Sequence, residues 1–253
     1  MPARIDLNAD LGEGFGHWTS GDDTGLLACI TSANVACGFH AGDPVIMRRV
    51  CEQAVAAGVA IGAQVGYRDL VGFGRRRIEI APAELTADVL YQLAALDGFA
   101  RVAGDRVRYL KPHGALYNTA VTDTEQAGAI VAALLAWDQP LPVLTLPGSA
   151  LASAAFEAGL PVIAEAFADR GYLPDGRLQP REQPGSVLSD AELIAERVVR
   201  LATTGELTAV DGTVLAIHAG TICVHGDNPQ AVSIARRVRQ ALAEAGVEVA
   251  RFS

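Results

Sequence analysis

The chain has no long apolar run. No stretch of its 253 residues reaches the ~18 consecutive apolar residues of a membrane-spanning helix. Residues 1–14, MPARIDLNADLGEG, have no apolar h-region and carry Arg4, Asp6 and Asp10 early, so they do not read as a signal peptide. Positive charge is scarce. Lys and Arg total 20 against 29 Asp and Glu, a formal net charge of −9 without a long basic run. That balance argues against nucleic-acid or anionic-membrane binding. Cysteine is scarce too. Cys29, Cys37, Cys51 and Cys223 lie far apart with no C-x-x-C, and are expected to be reduced thiols of a cytoplasmic protein, mostly packed in the core. No G-x-x-x-x-G-K-[ST] loop is present to cradle a nucleotide's phosphates. There is no repeat, no low-complexity linker and no visible boundary, so residues 1–253 are expected to form a single domain.

What is present is ordinary globular composition, 50% hydrophobic and 19% charged, in which short apolar runs alternate with longer amphipathic ones. Strands are expected at 4–8, 32–37, 59–65, 107–111, 142–146 and 161–167. Helices are expected at 44–57, 82–103, 123–137, 149–158 and 189–203. In the second helix Leu85, Val89, Leu93, Leu96 and Ala100 step by four, four, three and four, a helical stripe. A long polar segment precedes residue 189. Residues 213–227 begin as a strand, 228–246 read as a helix, and 247–252 read as a last strand. Seven or eight βα units in a chain of this length predict a closed or nearly closed parallel barrel. The rival is an open doubly wound sheet. Its support is weak: LGEGFG at 11–16 spells G-x-G-x-G, not the dinucleotide fingerprint G-x-G-x-x-G.

Chemically useful side chains collect at strand ends. Asn8, Asp10 and Glu13 follow the first strand, His40 and Asp43 the second, and Gln64, Tyr67 and Asp69 the third. Lys111 and His113 end the fourth, Glu165, Asp169 and Arg170 stand at the sixth, and His225 and Asp227 close the last long run. In a parallel barrel those ends open on one face, where active sites sit. The bland readings are stronger for some of these. Asp43 before Pro44 is a helix start. Cys37 is expected to pack. Asp227-Asn228-Pro229 resembles a second helix start, which leaves Asp227 balanced between cap and site. His17 and His218 lack a polar neighbourhood. Asp10, His40, Lys111, His113 and His225 remain, because buried Asp and Lys are rare unless paired. The stretch NVACGFHAGDP (34–44) is then a strand, a glycine-rich bend presenting His40, and a helix start.

Longer matches go further. DLNADLGEGFG (6–16), TSANVACGFHAGDP (31–44), GFGRR (72–76), KPHGALYN (111–118), EAFADRGY (165–172) and CVHGD (223–227) run in order over nearly the whole chain. Together they resemble the LamB/YcsF family, the family of the A subunit of bacterial 5-oxoprolinase. The resemblance implies an α/β fold, a distorted parallel barrel of about seven strands of the polysaccharide-deacetylase (NodB) type. It implies ATP-dependent opening of 5-oxo-L-proline to L-glutamate together with separate B and C subunits. ATP would enter as co-substrate with Mg, on this chain or on a partner. Assembly into homo-oligomers is a further option for an enzyme of this size.

For that chemistry Asp10, His40, Lys111 and His113, drawn from the strand ends, are expected to be catalytic. Asp10 or His113 would be the base for water, and Lys111 and His40 would stabilise the anion. Asn8, Glu13, Asn34, Gln64, Arg76, Tyr117, Asp169, Arg170 and His225 are expected to bind substrate, with Arg75, Arg76 or Arg170 holding its carboxylate. One departure stands out. Where the family pattern reads GAHPGYPD, this chain reads GAQVGYRD at 62–69, placing Gln64 where His is expected. Distant barrel deacetylases hold a metal through an Asp and two His, for which Asp10, His40 and His113 are the candidates here. Gln is a poor zinc ligand, so no tightly bound metal is expected. Two other roles remain open, a metal-dependent deacetylase or amidohydrolase acting alone, and a non-catalytic ligand-binding component of the complex.

Overall fold

Alternation in RIDLNADL sets the architecture. Successive side chains of a strand point to opposite faces. Ile5, Leu7, Ala9 and Leu11 therefore share one face and Asp6, Asn8 and Asp10 the other, and all seven are buried. The apolar face meets the helices. The polar face looks into a barrel. The computed structural model describes residues 3–227 and 229–252.

The elements follow the expected alternation. The first half runs β1 (Arg4–Leu11), α1 (Asp23–Leu27), β2 (Ser32–Ala36), α2 (Pro44–Ala57), β3 (Ala60–Val65), α3 (Pro82–Val102), β4 (Val107–Pro112) and α4 (Gly114–Thr119). The second half runs α5 (Thr124–Ala136), β5 (Val143–Thr145), α6 (Ala150–Glu157), β6 (Val162–Phe167), α7 (Ala191–Thr204), β7 (Glu206–Thr208), β8 (Val214–Ala216), β9 (Thr221–Val224), α8 (Ala231–Glu244) and β10 (Glu248–Val249). Strands β1-β2-β3-β4-β5-β6-β9 pair in that order, all parallel, and β9 returns to β1 through Asp6↔Thr221 to Ala9↔Val224. The sheet is thus a closed barrel of seven strands, and the open doubly wound alternative is excluded. β10 extends the N-terminal end of β1 at Arg4 and Ile5.

One expected element divides. Residues 213–227 do not form a single strand. Val214–Ala216 pairs antiparallel with Glu206–Thr208 outside the barrel, and the seventh barrel strand begins only at Thr221. The short elements α1, α4 and β7 carry too few residues for a periodic signal. The start of α2 is as expected: Asp43 Oδ1 accepts from the amides of Val45 and Ile46, with Pro44 in the first turn. α8 is different. Its N-cap is Gln230, so Asp227 is not the cap, and Asn228 lies outside the described residues.

The barrel interior is unusually polar. Asp6 accepts from Thr31, Ser32 and Thr221. Asn8 donates to Glu165 and Thr221 and accepts from Asn34, which also donates to Asp10. Below these layers Ala60, Tyr109 and Leu144, with Ile163 and Phe252, form an apolar plug. Gly62 makes room for it, since a Cβ there would stand 2.1 Å from the Tyr109 ring. The plug and the hydrogen-bonded polar ladder close the barrel below its C-terminal mouth, which leaves the mouth as the place for a ligand.

Candidate active site

The mouth holds a cavity of about 580 Å³ lined by Asp10, Lys111, His113, Tyr117 and His225 among others. Asp10, Lys111, His113 and His225 come from a strand end or the turn after it and Tyr117 from α4, so the closure of the barrel gathers residues far apart in sequence.

Lys111 is the centre of the charge arrangement. Its Nζ lies 2.7 Å from Glu165 Oε1, 3.4 Å from Asp10 Oδ1, 3.3 Å from Asn8 Oδ1 and 3.0 Å from Cys223 Sγ. The ammonium also stands 5.2 Å from the centre of the Phe167 ring. Burial works against its charge, but Asp10, Cys223 and Glu165 outweigh it and hold the Lys111 pKa well above the usual lysine range. Burial likewise opposes charge on Asp10, yet Lys111, His225 and His113 pull its pKa below the usual carboxylate range. A carboxylate held that low is a weak base. Asp10 is also engaged by Lys111 and Asn34, whereas His113 borders the cavity with an imidazole nitrogen free of protein partners, which leaves His113 as the better placed of the two candidates for a base.

His113 and His40 stack face to face, with 4.1 Å between ring centroids and 17° between planes. Burial drives both pKa values down, His40 to about 4 and His113 well below 6.5, the latter also by its neighbour His40. Both rings are therefore neutral at pH 7. Two glycines make room for the pair. A Cβ on Gly66 would stand 2.5 Å from His40 Nδ1, and one on Gly74 would stand 2.8 Å from His40 Cβ and 3.0 Å from His113 Nδ1. Gly74 also has φ +67°, which other residues rarely adopt. His113 borders the cavity, whereas His40 stands behind it. The expected direct role of His40 on the anion does not fit that position; it orients His113.

Gln64 is a bridge. Its Oε1 lies 3.1 Å from His40 Nε2 and its Nε2 donates to Glu13 Oε1 at 3.2 Å. Glu13 Oε1 is in turn 3.7 Å from His113 Nε2. Burial, then Asp10 and Asp227, raise the Glu13 pKa well above the usual range. Glu13, His40 and His113 offer donor atoms within 4.8 Å of one another, close enough to consider a metal ion. The expected ligand set had Asp10 in the place Glu13 takes. Two of the three donors are already bonded to the Gln64 amide, which lacks the charge and basicity of a good zinc ligand, so the arrangement as it stands fits a divalent ion poorly.

The remaining candidates divide. Asp169 Oδ1 lies 2.7 Å from His225 Nδ1 and sets the ring that borders the cavity. Tyr117 Oη and Glu165 Oε2 are buried without a hydrogen-bond partner. Asn8 and Asn34 sit deeper, in the interior ladder, and reach a substrate only through Asp10 and Lys111. Arg170 borders the cavity but its guanidinium donates to the Ser186 and Gln179 carbonyls, and burial lowers its pKa to about 10. It holds the 171–188 segment against the mouth. Arg76 does not border the cavity. It is paired with buried Asp69 through Nε at 2.9 Å and a second guanidinium contact. Its neighbour Arg75 does border the cavity, paired with Asp227 and lying 5.0 Å from the Phe73 ring centre. Arg77 is mostly exposed and paired with Glu79 and Asp123. Glu165 and Cys223 belong to the Lys111 cluster although neither was placed among the expected site residues. Their inward register on β6 and β9 was the available signal.

Residues 5–253 match the model of the LamB/YcsF family. The chain is 58% identical over 250 residues to the A subunit of 5-oxoprolinase from Streptomyces griseus subsp. griseus, covering 98% of this chain and all of that one. It is similar to the crystal structure of a lactam utilization protein from Thermus thermophilus, with TM-score 0.94 and 46% identity over 98% of this chain and all of that one. A family 4 carbohydrate esterase from Streptomyces lividans shares the fold, with TM-score 0.51 and 14% identity over 99% of this chain and 93% of the other.

Proposed function

The chain belongs to the LamB/YcsF family, and on that footing we propose that it is the A subunit of an ATP-dependent 5-oxoprolinase, which opens 5-oxo-L-proline to L-glutamate together with B and C subunits. What carries this reading is its full-length kinship with chains named as the A subunit of 5-oxoprolinase. The cavity supports it. Five cations, Arg75, Lys111, Arg170, Arg177 and Arg181, border it against two acids, Asp10 and Glu182, in a chain of net charge −9. Asp227 pairs with Arg75 and Arg181, Asp175 with Arg177 and Glu165 with Lys111, which offsets part of the excess; the remainder suits an anionic substrate.

A five-membered lactam is a resonance-stabilised amide and opens slowly in water. Transfer of a phosphoryl group from Mg-bound ATP to the lactam oxygen leaves ADP and an activated ring carbon. One water adds to that carbon, the ring nitrogen takes a proton and leaves, and a γ-acyl phosphate remains. A second water releases phosphate and glutamate. With no P-loop in the chain, this reading assigns ATP to one of the partners and ring opening to this cavity.

Neutral His113 takes the proton of the attacking water, with its ring held by stacked His40. Charged Lys111 lies beside the developing anion, a position in which a fixed cation in a dry site is worth several kcal/mol, on the order of 3. Tyr117 Oη, which borders the cavity beside Glu165, offers a donor to the substrate. Arg75 and the Asp169-set His225 hold its carboxylate in place of Arg76 and Arg170.

The test is glutamate formation from 5-oxoproline and MgATP by this chain alone, by the B and C subunits without it, and by all three. Turnover only in the full mixture, lost in His113→Ala with assembly retained, is the expected result. Unchanged turnover in that variant would make the chain a binding component instead. A second reading, a metal-dependent amidohydrolase acting alone, draws on the Glu13–His40–His113 cluster. ATP-independent hydrolysis of an N-acyl substrate by this chain would favour it.

A further inference from the structure

Large apolar side chains point outward around the bend that presents His40. Trp18, Val45, Val71 and Tyr91 are 75%, 76%, 92% and 63% exposed. They come from the segment after β1, the first turn of α2, the segment after β3, and α3. All converge on one stretch. Gly16 N donates to Asp43 Oδ2 and Gly42 N to Gly14 O, which ties the Trp18 segment to the start of α2. Tyr91 stacks on Phe39 at 5.2 Å, and the Arg68 guanidinium also lies 5.2 Å from the Phe39 ring. Phe73, two residues from Val71, stands edge-on to His40 and His113 at 6.2 and 5.3 Å. A single exposed apolar residue needs no explanation, but several from separate elements around one bend mark an interaction site.

The charges on this face are sorted. The Arg68 and Arg76 side chains are 59% and 65% exposed, while the Asp88 and Asp69 side chains that pair with them are 3% and 0% exposed. Arg77 does not repeat the pattern: it pairs with Asp123, 24% exposed, and with Glu79, 82% exposed. At Arg68 and Arg76 the carboxylates are sunk and the guanidiniums face outward, so these two points of the rim present positive charge on an acidic protein. A two-fold contact between copies of this chain would set the same patch against itself, arginine toward arginine. A different protein with an acidic, apolar face fits it.

We propose that this arginine-rimmed apolar surface is where one of the partner subunits docks, presenting apolar side chains flanked by carboxylates. The inference rests on the proposed function for the existence of such a partner. Docking there covers the rim beside the His40–His113 pair, next to the cavity through which substrate passes.

The probe is the purified B and C subunits from the same source, with affinity for this chain measured by titration at two salt concentrations. Val71→Glu and Tyr91→Glu, each verified as folded by its thermal melt, are expected to weaken binding at least tenfold. Phe156→Glu, at an exposed position on α6, is expected to bind as the native chain does. Higher salt is expected to weaken the native complex. Native affinity in Trp18→Glu, Val71→Glu and Tyr91→Glu together would overturn the inference. So would loss of self-association in those variants with partner binding intact, since a second copy would then be the occupant. Glutamate formation by the native mixture reads the proposed function separately. Turnover with variant-insensitive binding sinks the docking surface alone. Variant-sensitive binding without turnover sinks the proposed activity alone, and a native chain that binds neither partner overturns both.

Discussion

His40 and His113 lie face to face at 4.1 Å, two neutral imidazoles stacked inside a protein rather than two cations kept apart. Burial holds the His40 pKa near 4 against 6.5 for a free histidine. The unfolded chain therefore takes up a proton more readily than the folded one. Stability from this group is complete above pH 6.5 and is lost as pH falls toward 4, by about 3 kcal/mol at most from a shift of that size. His113 adds to the loss in the same direction. Urea unfolding between pH 7 and 4 checks this. The pH dependence is expected to be shallower in His40→Gln, and an equal slope in both proteins would show that other groups set it.

Lys111 neutralises two buried carboxylates, Glu165 and Asp10, from the barrel interior. Lys111→Met is expected to destabilise the fold by ~3–5 kcal/mol, because it leaves buried charge unpaired. It is also expected to reduce ring-opening turnover at least 100-fold through loss of the cation at the cavity. Adding Glu165→Gln is expected to recover part of the stability and none of the turnover. Chemical denaturation and activity measured on the single and double variants separate the two effects. Full recovery of turnover in the double variant would show that Lys111 is structural only.

Arg75 and Arg76 are neighbours with different partners. Arg76→Lys keeps a charge on Asp69 but loses the planar fork, so the 66–76 segment is expected to loosen and the melting temperature to fall slightly, with KM nearly unchanged. Arg75→Ala is expected to raise KM for 5-oxoproline by tenfold or more at nearly native stability. Steady-state kinetics on both variants would expose the reverse assignment at once.

Gln64 ties His40 to Glu13. Protein purified without a metal-affinity step is expected to carry no transition metal at one per chain. Gln64→His would add a third imidazole beside Glu13, His40 and His113 and is expected to take up zinc more tightly. Elemental analysis of both proteins, with turnover before and after chelation, decides the matter. Stoichiometric zinc in the native protein, with turnover lost to chelator and restored by zinc, would mean that the donors rearrange around a metal.

Much of the scaffold was legible in the chain because the relevant signals are local. The run RIDLN at 4–8 marks a strand, and the four-four-three-four spacing of α3 marks a helix stripe. Asp43-Pro44 announces a helix start through groups within three residues of one another. The same alternation of strands and helices placed Asp10, Lys111, His113 and His225 at one end of a parallel barrel before any pairing was known. Closure itself depended on tertiary structure, because the β1–β9 pairing joins Asp6 to Thr221 and no local pattern encodes such a register. The same limit hid the split between β8 and β9, two runs of only three and four residues. It also explains why Arg75 borders the cavity and Arg76 does not. Consecutive residues in an irregular segment have no periodicity to assign their directions, so whether each reaches Asp227 or Asp69 is decided by where the folded chain has carried those carboxylates.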